Sequence, residues 1–191
     1  MPVTGPIPDA LIIDGAALVN TKPPGTSKTF DEYAKEVILP YIEHNAHRHS
    51  RIDVVFDMYF DDSLKDETRK KRGSGARRKV TENSRPPKSW NTFLRCDENK
   101  TELFAFLADR IVAVNSNTHV VVTKNEEVLS NKAFDTEPLS PCNHEEADTR
   151  MFLHAKDAAI NGSKSIMLIS SDTDVVVIGV AVFSELNIAT L

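Results

Sequence analysis

The chain has little of what secreted and membrane proteins require. Only two of its 191 residues are cysteines, Cys96 and Cys142, which argues against a disulfide scaffold and fits a reducing compartment. No apolar run approaches the roughly 20 residues that a transmembrane helix needs. The N-terminus MPVTGPIPDA also lacks the basic and apolar regions of a signal peptide. We therefore expect an intracellular protein that does not bind membranes.

The chain also lacks internal repeats, low-complexity tracts and any cysteine–histidine spacing typical of a zinc site. What it contains is ordinary for a globular protein, with 40% hydrophobic and 27% charged residues. Its length is sufficient for one domain with a substantial core. We predict a single domain over residues 9–191, preceded by an N-terminal tail over residues 1–8.

Charge is distributed unevenly along the chain. Residues 63–90 hold ten lysines or arginines against three acidic residues, whereas the rest holds 13 basic and 25 acidic residues. A basic block on an acidic body is typical of proteins that bind a polyanion. It also fits a solvated helix face or a nuclear-import patch, and the latter would indicate the nucleus. We predict a basic helical segment over 63–80 and a proline-rich loop over 81–98.

Short apolar runs alternate with helical patterns along the chain. This alternation predicts an α/β fold with a central, mostly parallel sheet of about four strands, flanked by helices on both faces. Pro40 should bend or break the first long helix. The predicted strands are 10–14, 52–57, 119–123 and 165–170, the predicted helices are 30–50, 63–79, 99–114 and 143–160, and residues 124–141 are predicted to form a long polar loop.

Acidic residues follow three of the predicted strands directly, at Asp14, Asp57 and Asp172. Ligand sites of parallel sheets lie beyond the carboxyl ends of the strands. Each acid alone could cap the next helix or begin a turn. Their shared position at strand ends, together with Asp174 nearby, favours one carboxylate site.

The segment HEEADTR adds acids at a helix start. Asn143 as N-cap with Glu146 three residues later is a capping-box pattern, but capping does not account for Asp148. Six carboxylates in one place would repel each other unless divalent cations neutralised them, and oxygen-only ligands suit Mg²⁺ or Mn²⁺. The six candidate ligands are Asp14, Asp57, Glu146, Asp148, Asp172 and Asp174.

Four segments of the chain resemble motifs of the PIN-like nucleases, and within them of the flap-endonuclease or XPG-type 5′ nucleases. They are LIIDG, VVFDMYFDDSLKDETRKKR, PCNHEEADTR and SSDTDVVVIG, and they occur in the family's order across residues 10–185. The last two are the specific ones. HEEADTR followed by DTDVVV also resembles a set of invertebrate proteins with this core, a likeness that brings no function with it.

The resemblance implies two-metal hydrolysis of phosphodiester bonds. It places Asp14, Asp57, Glu146 and Asp148 at one ion, and Asp172 and Asp174 at the second.

The resemblance further implies that Lys65 and Arg72 face the scissile phosphate. They are seven residues apart, which is two helical turns, so both can project from one face. The remaining basic residues would hold a nucleic-acid backbone without reading its sequence, with DNA favoured over RNA. Trp90 or Phe93 could stack on a base, or belong to the core. The predicted nucleic-acid contacts are Lys65, Arg69, Lys70, Lys71, Arg72, Arg77, Arg78 and Lys79.

The chain departs from the family near its end. The family has a further aspartate and a helical element downstream, whereas 17 residues follow Asp174. We expect either a fragment of a longer protein or a trimmed domain that lacks its last strand.

Two other functions stay open at this point. One is a catalytically inactive module that binds nucleic acid or protein through the same fold. The other is a phosphatase of the haloacid-dehalogenase type, because ISSDTDVVV fits a DxDxV nucleophile motif, although the chain has no room for that family's downstream motifs.

Overall fold

The computed structural model describes residues 7–59, 76–141, 147–186 and 188–191. Five strands lie in this part of the chain: β1 (Ala10–Asp14), β2 (Arg51–Val55), β3 (His119–Lys124), β4 (Glu127–Ser130) and β5 (Ile166–Ile169). They form one sheet in the order β4-β3-β2-β1-β5. Strands β3, β2, β1 and β5 are parallel, and β4 pairs antiparallel with β3 at one edge. The sheet is therefore mostly parallel, as predicted.

Helices connect and cover the strands. The described residues form α1 (Gly15–Thr21), α2 (Phe30–Tyr33), α3 (Leu39–Ala46), α4 (Trp90–Phe93), α5 (Asp97–Val112), α6 (Ala147–Ile160) and α7 (Thr173–Val182). A π-helical turn over Ala34–Ile38 joins α2 to α3, and Pro40 lies in the first turn of α3. Proline lacks the N–H that would continue the hydrogen bonds of the preceding turn, so the backbone departs from α-helical geometry in the π-helical turn but stays helical on both sides of Pro40, and the predicted break does not occur.

Alternate residues of β1 face two different layers of helices. Leu11 and Ile13 belong to a core cluster that includes residues of α1 to α5. Ala10 and Ile12 belong to a second cluster with residues of α6 and α7. Because side chains alternate between the faces of a strand, helices cover both faces of the sheet. The fold is thus of the α/β class that the sequence predicted.

A buried ion network joins β2 to α6. The guanidinium of Arg51 donates to both carboxylate oxygens of Asp53, at 2.7 and 2.8 Å, and to Asp157 at 2.6 Å. The ring Nδ1 of His154 lies 2.7 Å from Asp53. All four side chains are buried. Since α6 also carries Asp148, the network fixes that helix against the sheet that bears the other candidate ligands.

The prediction of a long polar loop over residues 124–141 is wrong at β4. Strand β4 follows β3 through a tight turn in which Asn125 has a φ of 53°. Asparagine tolerates positive φ better than most residues. Val128 of β4 packs with Val121 and Leu139 in a small core cluster, and this burial stabilises the short strand.

The predicted basic segment over 63–80 falls largely on residues 60–75, which lie outside the described residues. Its continuation as a helix to Lys79 is wrong, because residues 76–80 form no regular element. Their backbone instead bonds to side chains of α5. Arg78 N–H donates to Asn99 and Val80 N–H donates to Glu102, each at 2.8 Å.

The predicted proline-rich loop over 81–98 contains α4 and the first residues of α5. Trp90 and Phe93 of α4 are buried and pack against each other. The indole N–H of Trp90 donates to the carbonyl of Val19 at 2.9 Å. Both rings are therefore core residues, which was one of the two interpretations of this pair.

Candidate metal centre

The carboxyl ends of three adjacent parallel strands carry the candidate acids. Asp14 is the last residue of β1, Asp57 follows β2 by two residues, and Asp172 follows β5 by three. In register, Asp14 pairs with Val55 of β2. These acids thus share the edge of the sheet where ligands of α/β folds bind.

Asp14 has two hydrogen-bonding roles. One oxygen accepts from the backbone N–H of Ala17 at 3.0 Å and caps α1, and the other accepts from the hydroxyl of Ser170 at 2.8 Å. The Ser170 oxygen in turn accepts from the N–H of Asp172 at 3.0 Å. A short chain of hydrogen bonds therefore ties the end of β1 to the paired aspartates after β5.

Asp57 is connected to the start of α6. It accepts from the backbone N–H of Ala147 at 2.8 Å and from the hydroxyl of Tyr59 at 3.1 Å. Burial raises the pKa of Asp57, and the negative charge of Asp14 raises it further, against the opposing effect of the two hydrogen bonds and of Lys100. The ionised form of Asp57 is therefore disfavoured, and a bound cation would stabilise it.

Gly15, the residue after Asp14, packs closely against the ring of Phe56. A Cβ at Gly15 would lie 2.2 Å from the ring of Phe56. Phe56 is buried and stacked on Phe104, so the ring has little room to move. Only glycine at position 15, directly after Asp14, leaves room for the ring of Phe56, the residue before Asp57.

Three carboxylates converge at this edge. One oxygen from each of Asp148, Asp172 and Asp174 lies within 4.8 Å of the other two. Asp148 is partly buried and the two others are exposed. Asp172 also caps α7, because its side chain accepts from the N–H of Asp174 at 2.9 Å. We call these three residues the carboxylate triad.

The resemblance assigns Asp148 to one ion and Asp172 and Asp174 to the other, whereas the triad contains all three. Asp148 of α6 lies with Asp172 and Asp174, while Asp14 and Asp57 reach the same edge through the hydrogen bonds described above. Glu146 lies outside the described residues. All donors here are carboxylate oxygens, the set that suits Mg²⁺ or Mn²⁺.

The predicted basic contacts divide in two. Lys65, Arg69, Lys70, Lys71 and Arg72 lie outside the described residues. Of the remainder, Arg77 forms an ion pair with Glu102 of α5, and Arg78 donates to the carbonyl of Arg85 at 2.7 Å. Lys79 is exposed. Internal contacts therefore occupy the guanidinium groups of Arg77 and Arg78.

A polar cavity of about 480 Å³ adjoins the acids and includes residues that the sequence did not single out. Asp57 and Asp172 line it, together with the cationic side chains of Arg95 and Lys100. Nothing local in the sequence marks these two cations, because α4 and α5 bring them to the cavity only in the folded chain.

Comparison of the chain with protein-family models, curated proteins and solved structures finds no match. The described helices include none that is both long enough and apolar enough to cross a lipid bilayer.

Proposed function

We propose that this chain is a metal-dependent, PIN-like nuclease domain that hydrolyses phosphodiester bonds of nucleic acid, with DNA preferred to RNA. The convergence of Asp148, Asp172 and Asp174 within 4.8 Å is the observation that carries the proposal. A divalent cation among three carboxylates so close would offset their mutual repulsion. Helix capping explains the position of Asp172 but not those of Asp148 and Asp174. It does not require a charge at Asp172 either, because Asn or Ser would cap the helix equally well.

Carboxylate oxygens suit Mg²⁺ or Mn²⁺, and we propose that these residues hold two such ions. The triad would hold one, and the strand-end acids Asp14 and Asp57 would contribute to the other. When bound, such ions lower the pKa of a water ligand and neutralise charge on the phosphate and the leaving oxygen. The chain's own part is to fix the carboxylates on rigid elements, through the cap of α7, the Ser170 bridge and the contact of Asp57 with α6.

A cleavage assay tests this function. Fluorescently labelled single-stranded DNA, flap DNA and RNA of the same sequence are incubated with the chain and Mn²⁺, Mg²⁺ or EDTA. We expect cleavage with either ion, none in EDTA, and faster cleavage of DNA than of RNA. Binding of the same substrates without cleavage under any condition would instead identify a non-catalytic binding module.

The phosphatase alternative makes a different prediction in the same assay. Hydrolysis of p-nitrophenyl phosphate without any cleavage of nucleic acid would favour it. We expect the reverse, because Asp172 and Asp174 lie beside Asp148 of α6, an arrangement suited to sharing a cation.

A further inference from the structure

We propose that the cavity beside the carboxylates binds a phosphate of the substrate strand, with Arg95 and Lys100 as its phosphate-binding residues. The inference rests on the proposed function and names the part of the site that holds the substrate. The cavity has a volume of about 480 Å³, which lies within the range of small-ligand sites and is sufficient for one nucleotide unit.

The position of Lys100 supports this role. Its ammonium lies 3.9 Å above the ring of Tyr59 and 2.8 Å from the carboxylate of Asp97. Tyr59 in turn donates to Asp57. Lys100 is thereby held close enough to Asp57 to act on the pKa of that carboxyl. Lys100 also lines the cavity that Asp57 and Asp172 line.

Arg95 supplies the second cation and is available for a ligand. It is exposed, and within the described part of the chain its guanidinium makes no ion pair or side-chain hydrogen bond. The planar fork of arginine matches the geometry of phosphate oxygens. Arg77 and Arg78 contrast with it, because their guanidinium groups already bond to other parts of the chain.

The charge pattern indicates an anion once ions occupy the acids. Bound divalent cations reverse the local electrostatics of a carboxylate site. The acidic part of the lining, Asp57 and Asp172, would then be neutral or positive, and Arg95 and Lys100 add positive charge to the same cavity. A phosphoryl group is the substrate component that such a lining would bind. The amides of Asn20 and Asn91, which also line the cavity, can bond to phosphate or sugar oxygens.

The aromatic lining argues against recognition of a base. Lys100 covers one side of Tyr59, and the ring of Phe104 lies 6.3 Å away in a tilted arrangement. The Tyr59 ring is therefore engaged within the protein. The cavity is suited to the backbone of a strand, and we expect binding that does not depend on sequence.

The test compares Arg95→Gln and Lys100→Gln with two matched controls. Arg48→Gln alters an exposed arginine three residues before β2, at the opposite edge of the sheet, and Lys156→Gln alters an exposed lysine on α6. Binding of labelled single-stranded DNA is measured by anisotropy in Ca²⁺ over a range of salt concentrations. Thermal melts in EDTA check that all variants fold.

We expect each cavity variant to weaken binding about 3- to 10-fold and to reduce the slope of log K against log[salt] by about 1. Both controls should bind like the unaltered chain. In cleavage assays, KM should rise with little change in kcat, because ground-state binding is lost.

Two arms distinguish the source of the phosphate. If inorganic phosphate competes with DNA in the unaltered chain but not in the variants, the cavity takes an isolated phosphoryl group. If only the oligonucleotide responds to the variants, it takes the phosphate of a strand. Binding by Arg95→Gln and Lys100→Gln equal to that of the unaltered chain, or equal losses in the two controls, would overturn the proposal. If those results come with normal metal-dependent cleavage, the phosphate site is wrong but the proposed nuclease function stands. If neither the unaltered chain nor any variant shows metal-dependent cleavage, the nuclease function itself is contradicted.

Discussion

Replacing Asp148 with asparagine is expected to slow metal-dependent cleavage about 1,000-fold. The substitution keeps the size of the side chain but removes the negative charge that α6 contributes to the carboxylate triad. A bound metal ion contributes several kcal/mol to the stabilisation of a phosphoryl-transfer transition state. A loss of about 4 kcal/mol corresponds to about 1,000-fold in rate. The measurement is single-turnover cleavage of labelled DNA in Mn²⁺.

The matched control for Asp148→Asn is Asp109→Asn. Asp109 is an exposed carboxylate of α5 that pairs with Lys124, and it does not line the polar cavity. Its rate should equal that of the unaltered chain. Equal rates for Asp148→Asn and the unaltered chain would contradict the assignment of the triad.

Replacing Asp53 with asparagine is expected to lower the free energy of unfolding by about 3–5 kcal/mol, the usual result of removing one partner from a buried ion pair. Asp53 is fully buried and accepts two hydrogen bonds from Arg51. Without its charge, the Arg51 guanidinium keeps only Asp157 as a charged partner. Urea unfolding measures the change, and the exposed pair broken in Asp109→Asn should lose at most about 1 kcal/mol.

The contribution of Asp53 to the free energy of unfolding should also depend on pH. Burial alone would raise the pKa of Asp53, but the hydrogen bonds and charges of Arg51 and His154 outweigh it and hold the pKa below the usual value of 3.8. A lowered pKa stabilises the folded state above that value, and the stabilisation is lost as pH falls through the folded pKa. The difference between the unaltered chain and Asp53→Asn should thus be largest near neutral pH and shrink below about pH 4. A difference that stays constant down to pH 2 would contradict the network.

Apolar strands were the most predictable part of the fold. ALIID and SIMLIS are nearly unbroken apolar runs, and the structure places β1 and β5 within them. Strand β4 was missed because EVLS is too short and too polar to stand out, and its pairing with β3 depends on the turn at Asn125. The ion network was missed for a related reason, since Asp53 interrupts an apolar run, and His154 and Asp157, which complete the network with Arg51, lie about 100 residues further along.

The site, like the fold, has features that could be predicted from the sequence and others that could not. Acids at strand ends could be predicted, because a parallel sheet places the carboxyl ends of its strands at one edge. The grouping of Asp148 with Asp172 and Asp174 could not, because it depends on how α6 packs against β1 and β5. Arg95 and Lys100 could not be found either, since only the folded arrangement of α4 and α5 distinguishes them from the other 21 lysines and arginines.

Thermal melting in Mn²⁺ tests the central claim, that the triad binds a divalent cation. The unaltered chain is compared with the double variant Asp172→Asn, Asp174→Asn. Asparagine can still cap α7, so the variant keeps that contact while losing two negative charges. In EDTA we expect the variant to melt no lower than the unaltered chain, because repulsion within the triad is relieved.

At Mn²⁺ concentrations about 100 times the dissociation constant, binding should stabilise the unaltered chain by about 2.7 kcal/mol. For a domain of this size, that corresponds to a rise in Tm of about 5–10 °C. The double variant should show no rise. Melting of the unaltered chain that does not respond to Mn²⁺, or an equal rise in both proteins, would contradict a metal site at the triad.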